Sequence, residues 1–376
     1  MKNPFAYSNY VSGRSFCNRT KELAELLTYI NASQNVLLYS HRRHGKSSLI
    51  QKIFKKIESD KRNISTIHVD LYGTVSEKDF IIRVFQELNQ LESNFDKLFK
   101  NIGKSIKNFR VNVSLDPTTG TSSITPTFKG IEENVMLEGL MDILLQYSNK
   151  RKLVVALDEF QEVSEYSEEG FEKRLRSYIQ KHENICYIFS GSRQHLITEM
   201  FNLKSQAFYK LADSFPLKKI ETNEYLSWIK ELFKGHRIAI SDEQITGVIN
   251  RFENHPMYIQ NFLFHLWEIK GVKKLTTETI ENLENTLIDK KSIEYSTLWD
   301  NLTINQKKTL KLIILNNGND LYSADSLKSV DIKTGSVVSK TIVSLIKKEI
   351  IVKNGSYNIQ DIMLKKWLFK TLSLQY

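Results

Sequence analysis

Apolar positions follow two alternating rhythms over the first 215 or so residues and a single rhythm beyond them. Leu23, Leu26, Leu27 and Ile30 recur at helical spacing, which predicts a helix over residues 18–30. Residues 35–39, Asn-Val-Leu-Leu-Tyr, form a short continuous apolar run, as a strand buried on both faces requires. A polar turn from Ser40 to Gly45 leads into a second helical pattern over 46–57. Further strands are expected at 65–71, 152–157 and 185–190, with helices at 76–91, 133–147 and 171–182. This alternation predicts an α/β unit whose parallel sheet is covered by helices on both faces. Residues 110–128 interrupt it as an inserted hairpin, RVNVSL and SSITPTF flanking a Pro-Thr-Thr-Gly turn.

After Pro216 only the helical rhythm persists, at 222–233, 241–252, 257–270 and 277–293, which predicts a helical subdomain. From Thr303 three further helices are expected at 305–315, 323–330 and 335–347. Two short β pieces follow at 350–353 and 356–359, turning on Asn354-Gly355. Three helices and a hairpin predict a winged helix-turn-helix. The expected domains are 1–215, 216–295 and 296–376, a division that suits a chain of 376 residues.

Composition narrows the class. Nothing approaches the roughly 18 uncharged apolar residues of a membrane helix, and the first residues lack the apolar core of a signal peptide. Cys17 and Cys186 both sit beside apolar segments and read as reduced packing residues. A cytoplasmic protein without a membrane partner is the expectation. The net charge is +10, and residues 300–376 carry about +6 of it, with twelve lysines, no arginine and six acids. An anionic partner for that last segment is one reading; a merely lysine-rich composition is the other.

The chemistry concentrates in three places. Gly45-Lys46-Ser47 lies between a buried strand and a helix, the setting of a Walker A phosphate loop. A turn opening a helix points backbone N–H groups inward, and the helix dipole favours negative charge there. Gly45 allows close backbone approach, Lys46 reaches phosphate oxygens, and the Ser47 hydroxyl suits magnesium. Ser40, Arg42, Arg43, His44 and Ser48 complete the expected ATP cradle. Ser40 stands where the pattern has its first glycine, so an altered loop geometry is expected.

Second, the apolar strand Leu153-Val-Val-Ala-Leu ends in Asp158-Glu159, as a Walker B strand presents carboxylates at the edge of a parallel sheet. Asp158 is expected to hold magnesium, and Glu159 to act as general base toward the attacking water. Standing alone, such a pair would read as a helix cap after a buried strand. Third, Tyr187-Ile-Phe-Ser-Gly-Ser192 ends another strand and places Ser192 in a sensor position near the γ-phosphate. Arg193 stays open between a phosphate contact and a solvated residue. The eight histidines show no metal-ligand spacing.

Together these residues resemble the archaeal-type ATPases of the STAND branch of AAA+ proteins, over nearly the whole chain. The likeness is carried by Asn3-Pro-Phe, by Phe16-Cys-Asn-Arg19 with Lys21-Glu22 as an FxGRxxE-type opening segment, and by Ser40-x-Arg-Arg-x-Gly-Lys-Ser. It continues through Val69-Asp-Leu-Tyr, Leu157-Asp-Glu-Phe-Gln161, Phe189-Ser-Gly-Ser192 and Asn254-His-Pro-x-Tyr-x-Gln260. The resemblance implies a P-loop NTPase core, a helical lid and a C-terminal winged helix. It also implies that Arg19 and Pro256 border the adenine pocket. Asn18 and Asn254 stand where the family has glycine, and His255-Pro256 also reads as an ordinary helix start.

Two functions follow as expectations. One is an ATP-dependent switch with ATP/ADP and Mg2+ as cofactors, acting on DNA through residues 296–376, where Ser336, Ser339, Lys340, Lys347 and Lys348 are offered to phosphates. The other is a signalling or defense ATPase whose winged helix holds a protein and whose homo-oligomer is controlled by nucleotide. In that reading Arg174 and Arg176 are candidates for a finger reaching a neighbouring subunit. A pure ATP binder is the third reading, and Glu159 argues against it.

Overall fold

The computed structural model describes residues 2–8, 10–91, 110–115, 122–127 and 133–372. They form two compact units, Ala6–Tyr225 on the one hand and Met1–Phe5 with Leu226–Tyr376 on the other.

The first unit holds β1 (Val36–Tyr39), β2 (Ile64–Asp70), β3 (Arg110–Leu115), β4 (Ser122–Thr127), β5 (Lys152–Asp158), β6 (Ile185–Gly191) and β7 (Asp213–Pro216). Five of these make one sheet in the order β2-β5-β6-β1-β7, and every pairing in it is parallel. The strands therefore end on one edge, where Asp70 pairs in register with Asp158 and Tyr39 with Gly191. Ligands of open α/β sheets bind outside that carboxyl edge, where successive strands part to opposite sides. Here β1 meets that description, because the chain leaves it for β2 on the far edge while β7 closes its other flank.

Period-two alternation explains why both faces are dry. Leu153, Val155 and Leu157 join one apolar cluster, with Phe80, Val84, Leu137, Leu140 and Phe171 from the covering helices. Val154 and Ala156 point the other way, into a cluster with Leu26, Ile30, Leu49, Ile50 and Ile53. The helices responsible on that second face are Thr20–Asn31 and Lys46–Ser59. The expected hairpin exists as β3 and β4, paired antiparallel from Arg110↔Thr127 to Leu115↔Ser122. Its Pro-Thr-Thr-Gly turn at 117–120 and Phe128 lie outside the described residues.

One interior histidine ties this packing to pH. His182 is buried, its Nδ1 2.6 Å from the Tyr187 hydroxyl, and burial pushes its pKa down to about 4. The folded state thus binds fewer protons than the unfolded chain between about pH 4 and 6.5. Stability from this site is full above the unfolded value and is lost as pH falls through that window, by up to about 3 kcal/mol. Urea unfolding of the native chain and of His182→Gln at pH 7 and pH 4 checks it. The native protein's stability relative to the variant should fall by about that amount on acidification; an unchanged difference refutes the assignment.

In the second unit Phe5 sits among Trp228, Phe233 and Trp267, with ring centroids 5.5, 5.7 and 5.9 Å away. The larger part of helix Thr222–Phe233, with helices Asp242–Arg251, Pro256–Glu268 and Thr277–Lys290, makes its helical part. Beyond them come Ser292–Asp300, Ile304–Leu315, Ala324–Ser329, Gly335–Lys347, the hairpin β8 (Ile351–Asn354) and β9 (Ser356–Ile359), and a last helix, Ile362–Thr371. Buried Glu284 accepts from Arg251 Nη1 at 2.9 Å and pairs with Lys366 Nζ at 2.5 Å, tying the helical part to that last helix.

Candidate nucleotide site

The loop after β1 is shaped by Gly45, which caps helix Lys46–Ser59 at φ 92, a left-handed conformation that glycine adopts without a Cβ penalty. The first helical bond runs from the Leu49 amide to the Gly45 carbonyl, so the amides of Lys46, Ser47 and Ser48 precede the intrahelical ladder. That is the local construction of an anion site.

Lys46 is 5 % exposed, and among the described residues its Nζ makes one long contact, 3.5 Å to the Ser40 carbonyl oxygen. Burial lowers its pKa, while the carboxylates of Asp158 and Glu159 oppose that shift. An ammonium has three donors, so a buried one with a single long acceptor is chemically suited to phosphate oxygens.

Ser47 Oγ donates to Asp158 Oδ2 at 2.5 Å, which brings the loop and the β5 carboxylate together. His68 Nε2 on β2 is 3.4 Å from the same oxygen, and its Nδ1 lies 3.0 Å from Gln51 Nε2. The other carboxylate oxygen, Oδ1, accepts from Ser190 Oγ at 2.8 Å and from the Glu159 amide at 3.1 Å. Burial by itself would raise the Asp158 pKa; the contacts with His68, Ser47 and Ser190 instead hold it well below the usual carboxylate range. Asp158 is therefore ionised. A hydroxyl and a carboxylate in contact are hard oxygen donors, and they fit magnesium.

Glu159 follows at φ 53, its Oε2 accepting from Gln161 Nε2 at 2.6 Å, Ser192 Oγ at 2.9 Å and the Ser192 amide at 3.3 Å. The structure thus joins Lys46, Ser47, Asp158, Glu159 and Ser192 in one cluster, with Ser192 on the Glu159 carboxylate.

The remaining expected residues differ in how they are used. Ser40 is buried, its hydroxyl on the His41 carbonyl, and it is absent from the residues with positive φ, whereas Arg43 has φ 63. Arg42 and Arg43 are exposed and His44 is buried, with its ring 5.7 Å from that of His41. Ser48 Oγ accepts from the Val11 amide at 3.1 Å. Arg19 is buried at the start of helix Thr20–Asn31, its Nη1 on Glu22 at 2.6 Å and on the Lys218 carbonyl at 2.7 Å. Its Nη2 has no partner among the described residues. Pro256 lies in the second unit as the first residue of its helix. Asn18 and Asn254 both have positive φ, 44 and 56, so asparagine keeps at these two positions a conformation that glycine also favours.

Three arginines are engaged within the first unit. Arg193 pairs with Glu162, Arg174 Nη2 pairs with buried Glu77 at 2.5 Å, and Arg176 Nη1 donates to the Ala207 and Tyr209 carbonyls at 2.6 and 2.8 Å. His68 and Gln51 were not expected, and Ser190 and Gln161 stood in the sequence only as members of motifs, without the contacts they make here. Gln51 sits one helical turn after Ser47, and Ser190 two strand positions before Ser192, so spacing alone places each on the functional side.

A family model described as "Probable winged helix domain" matches residues 293–370. The Walker-type ATPase paby2304 of Pyrococcus abyssi superposes with a TM-score of 0.61 at 17% identity, over 94% of this chain and 96% of that one. The ORC2 protein of Aeropyrum pernix, in ADPNP–ADP complexes, superposes with a TM-score of 0.54 at 11% identity, over 95% of each chain. A curated relative, the chaperone protein HtpG of Alkaliphilus oremlandii (strain OhILAs), is 26% identical over 218 residues, 50% of this chain. The match spans 34% of that relative's length. At such identities the structural likeness is one of fold. That fold is an α/β unit built on a five-stranded parallel sheet, as in those Walker-type and ORC2 structures, followed in the chain by a helical segment and a C-terminal winged helix domain.

Proposed function

We propose that this chain binds ATP with magnesium, hydrolyses it, and uses the cycle to switch a DNA-contacting winged helix. The observation that carries the nucleotide reading is the 2.5 Å contact between Ser47 Oγ and Asp158, which unites the phosphate loop with an ionised strand-end carboxylate. In this reading the amides of residues 46–48 and Lys46 bind the phosphates, and Ser47 and Asp158 hold the metal. Magnesium supplies charge neutralisation at the phosphates when bound. Glu159 takes a proton from water as that water's oxygen bonds to the γ-phosphorus and ADP departs with the electron pair. Arg19 Nη2 is the donor left for base or ribose. Phosphate release from ATP that requires magnesium and stops on chelation tests the reading; no release under any metal condition refutes it.

The DNA part rests on the second unit. Along helix Gly335–Lys347 the exposed residues Ser336, Ser339, Lys340, Val343 and Lys347 recur at three- and four-residue spacing, and so share one face. Exposed Lys353 lies on the wing, its ammonium 5.3 Å from the centre of the Tyr357 ring. Lys348 turns elsewhere, to Gln306 Oε1 at 3.4 Å, so the structure does not support its expected place on that face. Lysine without arginine favours backbone contact over base reading. Fluorescence anisotropy with duplex DNA should show affinity falling steeply with salt. Replacing Lys340 and Lys347 by alanine should flatten the log–log slope by roughly 1 for each phosphate that is no longer neutralised. Binding that ignores salt, or no binding at low salt, removes DNA from the account.

A protein partner is the second reading, favoured by Val343, which is 68% exposed in the centre of the same face. It predicts an assembly state, measured by light scattering with a non-hydrolysable analogue, that depends on ATP against ADP and not on DNA.

A further inference from the structure

Glu159 is restrained by more than its place at the end of β5. Gln161, only 1% exposed, donates from Nε2 to Glu159 Oε2 at 2.6 Å. It sits in the short 3-10 turn Phe160–Glu165, where its carbonyl accepts from Ser164 Oγ at 2.7 Å. Its amide is pressed against β6. A Cβ added at Gly191 would lie 2.2 Å from Gln161 Oε1 and 2.6 Å from Ile197 Cδ1. Gln161 Oε1 itself is buried without a hydrogen-bond partner among the described residues. Leaving such an oxygen unpaired costs free energy that an apolar side chain of similar size would avoid. Packing alone therefore does not account for a glutamine here. Its polar function is the bond to Glu159.

The geometry points to Gln161 as a positioning residue for hydrolysis, fixing the carboxylate of Glu159 by one oxygen so that the other faces the attacking water. This rests on Glu159 being the base. Oε2 accepts from Gln161 and twice from Ser192, and an oxygen saturated by three donors is a poor proton acceptor. Oε1 is the oxygen left for the work. As the water oxygen bonds to phosphorus, the proton moves from water to Oε1, and the bond broken is the one from the γ-phosphorus to the ADP oxygen. Gln161 touches neither water nor phosphate in this scheme. It acts through Glu159, by limiting the rotation of its carboxylate.

Four variants, Gln161→Leu, Gly191→Ala, Glu159→Gln and the double Glu159→Gln/Gln161→Leu, test the inference. Each is measured for single-turnover hydrolysis, affinity for a fluorescent ATP analogue, and thermal unfolding. Gln161→Leu should lower the hydrolysis rate by roughly 10- to 100-fold while ATP affinity stays within about twofold. Its unfolding midpoint should not drop, because leucine also removes the unpaired oxygen. Gly191→Ala, which pushes the amide from the other side, should reduce the rate in the same direction. The double variant should be no slower than Glu159→Gln, since a residue acting through Glu159 has nothing left to act on. Normal hydrolysis in Gln161→Leu, with Glu159→Gln inactive, overturns the role of Gln161 alone. Loss of rate only together with weakened ATP affinity and a lowered midpoint makes Gln161 a packing residue. Normal hydrolysis in Glu159→Gln overturns the base reading itself.

Discussion

With Lys46 replaced by alanine, ATP binding should weaken by at least about a hundredfold, and hydrolysis should disappear with it. The reasoning starts from burial. Lys46 is a cation with 5% exposure and one long hydrogen-bond acceptor, held among Ser40, Asp158 and Glu159. Phosphate oxygens offer it acceptors of full negative charge, and a hydrogen bond to a charged group contributes about 1.5–3 kcal/mol. Two such bonds correspond to a factor of at least a hundred in affinity. The effect is larger than one pair suggests, because alanine also leaves the Asp158 and Glu159 carboxylates facing the triphosphate without a compensating cation. Titration of a fluorescent ATP analogue measures it, with circular dichroism to confirm that the variant is folded. Native affinity in a folded Lys46→Ala protein is incompatible with a phosphate seat at this loop.

Glu159→Gln should separate binding from chemistry. Glutamine has the same size and can still accept from Gln161 and Ser192, so ATP affinity should stay within a few-fold of native. It cannot accept the proton from water. Positioned bases contribute typically 10²–10⁴-fold, and a loss of roughly that size is expected in single-turnover phosphate release. A variant that binds ATP tightly and holds it unhydrolysed is the expected result. One that hydrolyses at the native rate means another group takes the proton. Basal turnover of the native chain should itself be slow, because Arg174, Arg176 and Arg193 are engaged within the first unit and a transition-state arginine would come from elsewhere.

Much of this arrangement was legible before the fold was known, for a physical reason. A strand buried on both faces has to be continuously apolar, and the residues that end it stand out as the first polar ones. Asp158 after Leu153–Leu157 is visible that way and Lys46 through the Gly-Lys-Ser that follows Val36–Tyr39, and the shared carboxyl edge of the parallel sheet brings the two together. β7 was not visible. Asp-Ser-Phe-Pro buries only Phe215 on a sheet edge, so it lacks the apolar run that marks a central strand. The helices Gln194–Asn202, Ser292–Asp300 and Ile362–Thr371 were also missed, and the helix expected over 277–293 ran past the boundary at Lys291. That last boundary carries no proline or glycine to mark it.

Within the site, what escaped the sequence is what only three-dimensional register supplies. His68 lies on β2, far in sequence from Asp158, and reaches it because β2 and β5 are paired with Asp70 opposite Asp158. Ser190 looked like a neighbour of the sensor Ser192, yet Ser190, inside the strand, bonds Asp158, and Ser192, just beyond its end, bonds Glu159. The two departures from glycine, Asn18 and Asn254, became intelligible through a number that sequence does not contain, a positive φ at each.

The central claim is that one magnesium–triphosphate complex is held between the phosphate loop and the end of β5. A crystal structure with manganese and a non-hydrolysable ATP analogue tests it most directly, because manganese scatters anomalously. The account predicts an anomalous peak within coordination distance of Ser47 Oγ, adjacent to the Asp158 carboxylate directly or through one water, and phosphates on the amides of residues 46–48. A peak remote from both side chains, or an analogue bound on another face of the sheet, would contradict it.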